Sequence, residues 1–220
     1  ISSIGANTFK DCSNLASITI PVGVSSIGTD AFSGCSSLTS FDVASANSTY
    51  SSQDSVAIFN KAGTSIILYP PGREDGYVIP NGVTSIGDYA FSGTKLSGIT
   101  IPDGLTTIGD AAFSGCWQLI GPVTLPDSVT SIGTYAFQDC PNIESINIPD
   151  GVTTIGDSTF KYCRNMTSIT LGSGLTTIGV NAFVNAALTN LTIPSNVSSI
   201  NPSAFQGNSS LTAFNVASAN

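Results

Sequence analysis

The stretch VTSIGTYAFQDCPNIESINIPDG, residues 129 to 151, recurs in nearly the same form from one end of the 220-residue chain to the other. One phenylalanine marks each copy, at Phe9, Phe32, Phe91, Phe113, Phe137, Phe160, Phe183 and Phe205. The successive intervals are 23, 59, 22, 24, 23, 23 and 22 residues. Self-similarity at a fixed period of about 20 to 30 residues is typical of a solenoid, in which each copy forms one coil.

Each copy ends in two apolar residues that flank a polar one, as Ile146 and Ile148 flank Asn147. Alternation of this kind predicts a short β-strand with one buried face. Proline follows at six places and marks the end of the strand, because it cannot donate to a ladder. The residues predicted to point outward are Thr19, Thr100, Thr124, Asn147, Thr170 and Thr192.

The segment around each phenylalanine has a constant pattern as well. Glycine stands four residues before the phenylalanine in seven copies, and Asn201 stands there in the eighth. Because these two residue types tolerate positive φ, we expect a tight bend at this position. The following A-F-x-x-C segment is too short for a full helix and is predicted to form one helical or 3₁₀ turn.

A single copy buries too few apolar side chains to offset the conformational entropy lost on folding, so the copies must stack. Stacking at about 4.8 Å aligns like positions in columns and lets the backbones pair between coils. The sequence therefore predicts a right-handed solenoid of the leucine-rich-repeat type, with coils of 22–24 residues. One face is expected to carry a parallel β-sheet, and the opposite face short helical or 3₁₀ turns.

The repeated pattern V-x-S-I-G-x-x-A-F-x-x-C-x-x-L-x-x-I-x-I-P-x-G resembles the BspA-like leucine-rich repeats of bacterial and protozoan surface proteins. The resemblance extends over essentially the whole chain. It implies an extracellular or cell-surface location and adhesion to host or matrix proteins or glycans. No particular residue of the pattern carries that implication, because the repeated letters are core letters.

The whole chain, 1–220, is predicted to be one repeat domain with an insertion at 44–80. Within the insertion, 56–59 and 65–69 are interpreted as the strands of a hairpin, and Tyr77 to Pro80 as the strand that resumes the repeat. The chain opens inside a repeat, and its end, LTAFNVASAN, nearly copies LTSFDVASAN at 38–47. We therefore expect a fragment of a longer chain.

Composition limits the classes of partner. Only 9% of the residues are charged, and the net charge is −8. The six basic residues are scattered, which disfavours nucleic acid as a partner. No apolar run approaches the roughly 18 residues of a membrane span, so no membrane insertion is expected.

The sequence offers little for catalysis or for a cofactor. It contains no histidine, so no Ser-His or Cys-His dyad is available. Many glycines belong to the S-I-G or P-x-G steps of the repeat, and no phosphate-binding loop is recognisable. A non-enzymatic protein without cofactors or metal ions is therefore expected.

The five cysteines, Cys12, Cys35, Cys116, Cys140 and Cys163, share one repeat position. A column of free, buried thiols is the favoured interpretation, and disulfides between neighbouring coils are the alternative.

Asp103, Asp127 and Asp150 each follow a proline in successive coils. Stacked carboxylates could share a Ca²⁺ ion. Aspartate after proline is also an ordinary turn residue, and this second interpretation is favoured.

Three groups of residues are candidates for partner contacts. They are Tyr50, Tyr69, Arg73 and Tyr77 of the insertion, the single tryptophan Trp117, and the outward row Thr100, Thr124, Asn147, Thr170 and Thr192. The alternatives are that the insertion aromatics cover an exposed coil edge and that Trp117 packs over an adjacent coil. The predicted function is adhesion or protein binding, and a structural spacer that presents other domains is the alternative.

Overall fold

A computed structural model describes residues 1–218 of the chain. These residues form a parallel β-solenoid of about nine coils. Twenty short strands, numbered β1 to β20 in chain order, line two sides of the stack. Each regular coil contributes two strands, and a run of turns forms the remaining side.

The first side is the sheet that the alternating pattern predicts. Its strands are β2 (Ser17–Ile20), β4 (Ser40–Val43), β8 (Tyr77–Val78), β10 (Ile99–Thr100), β12 (Gly121–Val123), β14 (Ile143–Asn147), β16 (Ser168–Thr170), β18 (Asn190–Ile193) and β20 (Ala213–Val216). They pair in parallel with like positions opposite one another, as Ile146 lies opposite Ile169. We call this side the repeat sheet.

A second side was not predicted. Each copy also places its Ser-Ile or Thr-Ile dipeptide in a parallel ladder: β1 (Ser3–Ile4), β3 (Ser26–Ile27), β9 (Ser85–Ile86), β11 (Thr107–Ile108), β13 (Ser131–Ile132), β15 (Thr154–Ile155), β17 (Thr177–Ile178) and β19 (Ser199–Ile200). Two residues are too few to produce a detectable alternation, which is why the sequence pattern does not reveal these strands.

Turns, and no helix, form the third side in the described part of the chain, so the prediction of a helical or 3₁₀ turn is wrong. The residues two before and two after each phenylalanine adopt left-handed φ, as in Tyr135 (59°) and Asp139 (54°). Alternating hands stop a helix from propagating. They also turn the N–H groups of Tyr135, Phe137 and Asp139 toward the next coil, whose carbonyl oxygens accept them at 2.9–3.0 Å.

The glycine that stands four residues before each phenylalanine does not adopt the predicted positive φ. Gly133 and its equivalents are absent from the left-handed residues of the described chain. Their role is close approach instead: a Cβ built on Gly133 would lie 2.6 Å from the carbonyl carbon of Gly109 in the preceding coil. A Cβ on Gly179 would lie 2.6 Å from that of Gly156. At Gly133 and Gly179 a Cβ would therefore overlap the backbone of the preceding coil, which glycine avoids.

The phenylalanines stack through the core, with one interruption. From Phe91 to Phe205, neighbouring rings are nearly parallel, with centroids 4.9–5.6 Å apart. Tyr69 extends the stack at 4.9 Å from Phe91. Phe9 and Phe32 form a separate pair at 5.2 Å. The column is therefore interrupted between Phe32 and Tyr69.

The interruption coincides with the insertion, which contains the predicted hairpin. Strands β5 (Tyr50–Ser51), β6 (Ile58–Asn60) and β7 (Ser65–Leu68) pair antiparallel. Strand β7 then pairs in parallel with β9, so it opens an irregular coil that Tyr69 and β8 complete. We call residues 24–43 coil 2, residues 65–80 coil 3, and the region where they face each other the junction.

The junction also divides the hydrophobic core. One buried cluster runs from Ile4 to Ile58, and a second, larger one runs from Ala57 to Ala204. Phe32 does not meet an aromatic ring of coil 3; it packs edge-on against Phe41 at 5.1 Å and 73°. The hairpin thus replaces the regular coil-to-coil contact at this one place.

Candidate binding surfaces

The repeat sheet brings the predicted outward row together. Thr100, Thr124, Thr170 and Thr192 are all exposed and project from neighbouring coils. The row is not polar throughout. In coil 3 its position is occupied by Val78, which lies opposite Thr100 and is 68% exposed.

Asn147, the fifth predicted member of the row, forms hydrogen bonds with the preceding coil. Its side-chain amide donates to the carbonyl oxygen of Leu125 at 2.9 Å, and its Oδ1 accepts from the Leu125 N–H at 3.0 Å. Both ends of the amide are therefore occupied by the backbone of the preceding coil. The sequence pattern could not distinguish this half-buried residue from the exposed threonines beside it.

The insertion tyrosines lie in the core. The exposed fractions of Tyr50, Tyr69 and Tyr77 are 8%, 1% and 7%. Tyr77 donates its hydroxyl to Asp54, whose other oxygen accepts the N–H groups of Val56 and Ala57. Burial raises the pKa of Tyr69, and burial together with the Asp54 hydrogen bond raises the pKa of Tyr77. The three rings cover the coil edge, which was the alternative to partner binding.

Arg73 lies at the edge of the same cluster. Its Nη2 binds the carboxylate of Asp75 at 2.9 Å, and its side chain is 32% exposed. Its Nε and the hydroxyl of Tyr69 are buried and have no hydrogen-bond partner among residues 1–218. The guanidinium is thus partly committed within the insertion, and only its outer part is open to a partner.

Trp117 is accessible, with 69% of its surface exposed. It lies in a turn immediately after the buried Cys116, and Ile120, three residues further on, is 64% exposed. An exposed cavity of about 340 Å³ lies between Trp117, Gln118 and Lys95. Ile120 did not emerge from the sequence, because it follows the periodic leucine and has no distinguishing pattern.

Two open grooves run along the repeat sheet. One, of about 310 Å³, is bounded by Thr100, Thr124 and Asp103. A larger one, of about 690 Å³, is bounded by Thr170, Thr192 and Asp150. The predicted threonines therefore border concave surfaces as well as lying on the sheet.

The aspartate row shows no cation site. All three carboxylates, Asp103, Asp127 and Asp150, are exposed. Asp150 Oδ1 accepts the N–H of Ser173 at 2.6 Å, and this bond lowers the pKa of the Asp150 carboxyl. Within the part of the chain that the structure describes, no three His, Cys, Asp or Glu residues could hold a metal ion. Asp150 thus acts as a turn residue that links two coils.

The five cysteines are free thiols, and four of them are buried. Each buried thiol donates to the phenylalanine carbonyl of the preceding coil, as Cys140 does to Phe113 at 3.0 Å. Asn208, at the same repeat position, makes the equivalent bond to Phe183 at 2.8 Å. Cys12 belongs to the first coil and is exposed. Burial raises the pKa of Cys163 to about 12.

The junction holds a cleft that the sequence did not reveal. Its volume is about 210 Å³, and it lies between the turn of coil 2 at 27–33 and residues 67–71 of coil 3. Two exposed carboxylates, Asp30 and Asp88, line it together with Tyr89, which is 44% exposed. The 59-residue interval between Phe32 and Phe91 is the signal that could have located it.

A known family model matches most of this chain. The family model described as BspA type Leucine rich repeat region matches residues 1–66 and 84–212 in six copies. This chain belongs to the BspA-type leucine-rich repeat family. A comparison with curated proteins finds no match.

Three solved structures illustrate the similarity. A leucine-rich repeat protein from Eubacterium ventriosum is 29% identical, with a TM-score of 0.69 over 90% of this chain and 59% of that one. A leucine-rich cell surface protein from Faecalibacterium prausnitzii is 30% identical, with a TM-score of 0.66 over 100% and 52%. A leucine-rich repeat protein from Bacteroides ovatus is 25% identical, with a TM-score of 0.60 over 97% and 64%.

The BspA-type chain spans between about half and two thirds of the length of these three relatives. Its fold is that of leucine-rich repeat proteins. Among the described residues there is no helix that is both long and apolar enough to cross a membrane.

Proposed function

We propose that this BspA-type chain is a non-enzymatic binding module at the cell surface or outside the cell, where it adheres to host or matrix proteins or glycans. The family and the Faecalibacterium prausnitzii cell surface protein support this proposal. No nucleic acid, cofactor or metal ion takes part in it.

The observation that carries the proposal is the exposed threonine row of the repeat sheet. Thr170 is exposed at the end of β16 and Thr124 is exposed directly after β12, and a groove adjoins each of them. A rigid surface loses little conformational entropy on binding, and hydroxyls both donate and accept hydrogen bonds. Such a surface suits a polar, uncharged ligand such as a glycan or a protein backbone.

Trp117 supplies an apolar anchor. Tryptophan is enriched among the residues that dominate binding energy at interfaces, and this one has most of its surface free. A partner that covers Trp117 and Ile120 would bury apolar surface that solvent now contacts.

The experiment compares binding of the wild-type chain, Thr124→Lys with Thr170→Lys, and Trp117→Ala to a panel of immobilised extracellular-matrix proteins and glycans. Thr154→Lys is the matched control, because Thr154 is also exposed but lies on the second ladder. We expect one ligand whose affinity falls about tenfold or more in a test variant and stays unchanged in the control. Equal binding by all variants, or binding of no panel member, would contradict the proposal.

A structural spacer is the second candidate. The specific observation in its favour is the ring stack from Tyr69 to Phe205, which makes a stiff element of uniform rise. A spacer would bind nothing in the same panel, either as this chain or within a longer protein that contains it.

A further inference from the structure

The turns of the regular coils are joined by a ladder of backbone hydrogen bonds. In the coil of Phe113, the N–H groups of Ala111, Phe113 and Gly115 donate to carbonyl oxygens of the next coil at 2.7–2.8 Å. The same three positions donate in coil 1, where Asn7, Phe9 and Asp11 bond to coil 2 at 2.8–3.2 Å. The N–H groups at these positions thus point along the stack, toward the coil that follows.

Coil 2 has the same backbone conformation but lacks these bonds. Asp30 and Gly34 have left-handed φ of 56° and 74°, close to the 50° and 71° of Ala111 and Gly115. The N–H groups of Asp30, Phe32 and Gly34 nevertheless find no acceptor among residues 1–218. The last coil has the same three free donors, but there the described stack ends. At the junction, Asp30 and Phe32 line the cleft between coils 2 and 3, and Gly34 directly follows the lining residue Ser33.

The cleft is large enough for more than ordered water. Its volume of about 210 Å³ far exceeds the roughly 10–15 Å³ that one water requires. Backbone donors that face a protein surface without a partner are what an added extended chain pairs with in strand addition. Their repeat of two residues matches the alternate carbonyl groups of an extended peptide.

The charge of the cleft selects the ligand. Asp30 and Asp88 lie at its edge and are exposed, and no lysine or arginine lines it. An anion would suit the N–H donors, but the two carboxylates would repel it. A neutral carbonyl group combined with a basic side chain satisfies both features.

We propose that the junction cleft binds an extended, basic segment of a partner protein. Its backbone carbonyls accept from Asp30 and Phe32, with Gly34 at the edge of the cleft, and a lysine or arginine pairs with Asp30 or Asp88. This inference rests on the proposed protein-binding function and adds a second site, distinct from the repeat sheet, with a defined class of ligand.

The test uses ¹⁵N-labelled chain and three probes: the capped pentapeptide Thr-Lys-Thr-Lys-Thr, its counterpart with glutamate in place of lysine, and inorganic phosphate. We expect the lysine peptide alone to cause saturable shifts of the amide signals of Asp30, Phe32 and Gly34. The double variant Asp30→Asn with Asp88→Asn should bind about three- to tenfold more weakly, because it loses the charge pairing. Asparagine tolerates the left-handed φ of residue 30 and preserves the Oδ1 of residue 88 that accepts from Asp110.

Asp127→Asn is the matched control, since Asp127 is exposed and remote from the cleft, and it should leave the affinity unchanged. Absence of shifts at the three amides would overturn the proposal, as would equal binding of the glutamate peptide or of phosphate. The outcome is separable from that of the ligand panel. Peptide binding without any panel ligand would retain the cleft and refute adhesion through the sheet, and the reverse result would refute the cleft.

Discussion

The regular stack and the junction use the same backbone conformation with different neighbours. Between Phe91 and Phe205, each coil meets a copy of itself, so rings, thiols and turn amides all find their equivalents. Between Phe32 and Tyr69, coil 2 meets a hairpin and an irregular coil. The aromatic ring is then covered by another route, through Phe41, but the turn amides are not paired.

The difference separates two kinds of interaction. Apolar burial is non-directional, so Phe41 can substitute for the missing ring and leave Phe32 only 2% exposed. Hydrogen bonds require an acceptor at a defined place, and coil 3 does not supply one to Asp30, Phe32 and Gly34. An interruption in a solenoid can therefore keep its core closed while it opens a polar site.

The largest contrast should appear in amide hydrogen exchange. We expect the N–H groups of Asp30, Phe32 and Gly34 to exchange on the order of a thousandfold faster than those of Ala111, Phe113 and Gly115. Paired amides of a packed core exchange only through opening, whereas unpaired ones need none. Exchange measured residue by residue by NMR gives this ratio directly.

Phe9 provides the control for that experiment. It lies closer to the chain terminus than Phe32, but its N–H is bonded to Ala31 at 2.8 Å. If Phe9 exchanges as fast as Phe32, fraying of the first coils is the cause and not the absence of an acceptor. Slow exchange of Phe32 itself would mean that its amide is paired in solution.

The next largest effect concerns the spacing glycines. Gly133→Ala should lower the free energy of unfolding by about 1–3 kcal/mol, because its Cβ would overlap the backbone of the preceding coil. Gly87→Ala, beside the irregular coil 3, should cost less, since the nearest atom there is the Ile66 carbonyl oxygen at 3.0 Å. Urea denaturation of both variants measures the two changes.

Gly98→Ala completes the series, because nothing lies within 4 Å of a Cβ at that position. Its stability should be unchanged or slightly higher than that of the wild type, through reduced entropy of the unfolded chain. Equal losses for Gly133 and Gly87 would show that coil 3 and the coil of Phe91 are as tightly spaced as the coils of the regular stack.

These glycines also show where sequence reasoning reached its limit. Stacking of Phe113 on Phe137 and the repeat sheet followed from periodicity, since a period reports which positions repeat. The structural reason for glycine at position 133 did not follow from periodicity, because glycine at a fixed repeat position is compatible both with positive φ and with close approach of two backbones. Only the distance between neighbouring coils distinguishes the two.

The exposure of the candidate binding residues was likewise only partly predictable from the sequence. Exposure of Thr124 and Thr170 was predictable, because alternation along a strand assigns each side chain to a face. Burial of Tyr69 and Tyr77 was not, because Tyr69 occupies a phenylalanine position in a coil whose letters do not match the repeat. The cleft beside Asp30 depends on a missing acceptor, and no local pattern encodes a contact that fails to form.

The smallest contrast is between two cysteines at the same repeat position. Cys140→Ala should cost about 1 kcal/mol, since it removes a buried donor to Phe113, while Cys12→Ala should stay within about 0.5 kcal/mol because Cys12 is exposed. Alkylation of the native chain should accordingly modify Cys12 first.

The buried thiols add a pH dependence: folded Cys163 keeps its proton to about pH 12, while an unfolded cysteine loses it near 9.0. Rising pH across this window then favours the unfolded chain, and stability should decline. Rapid labelling of Cys140 in the native chain would contradict the closed thiol column.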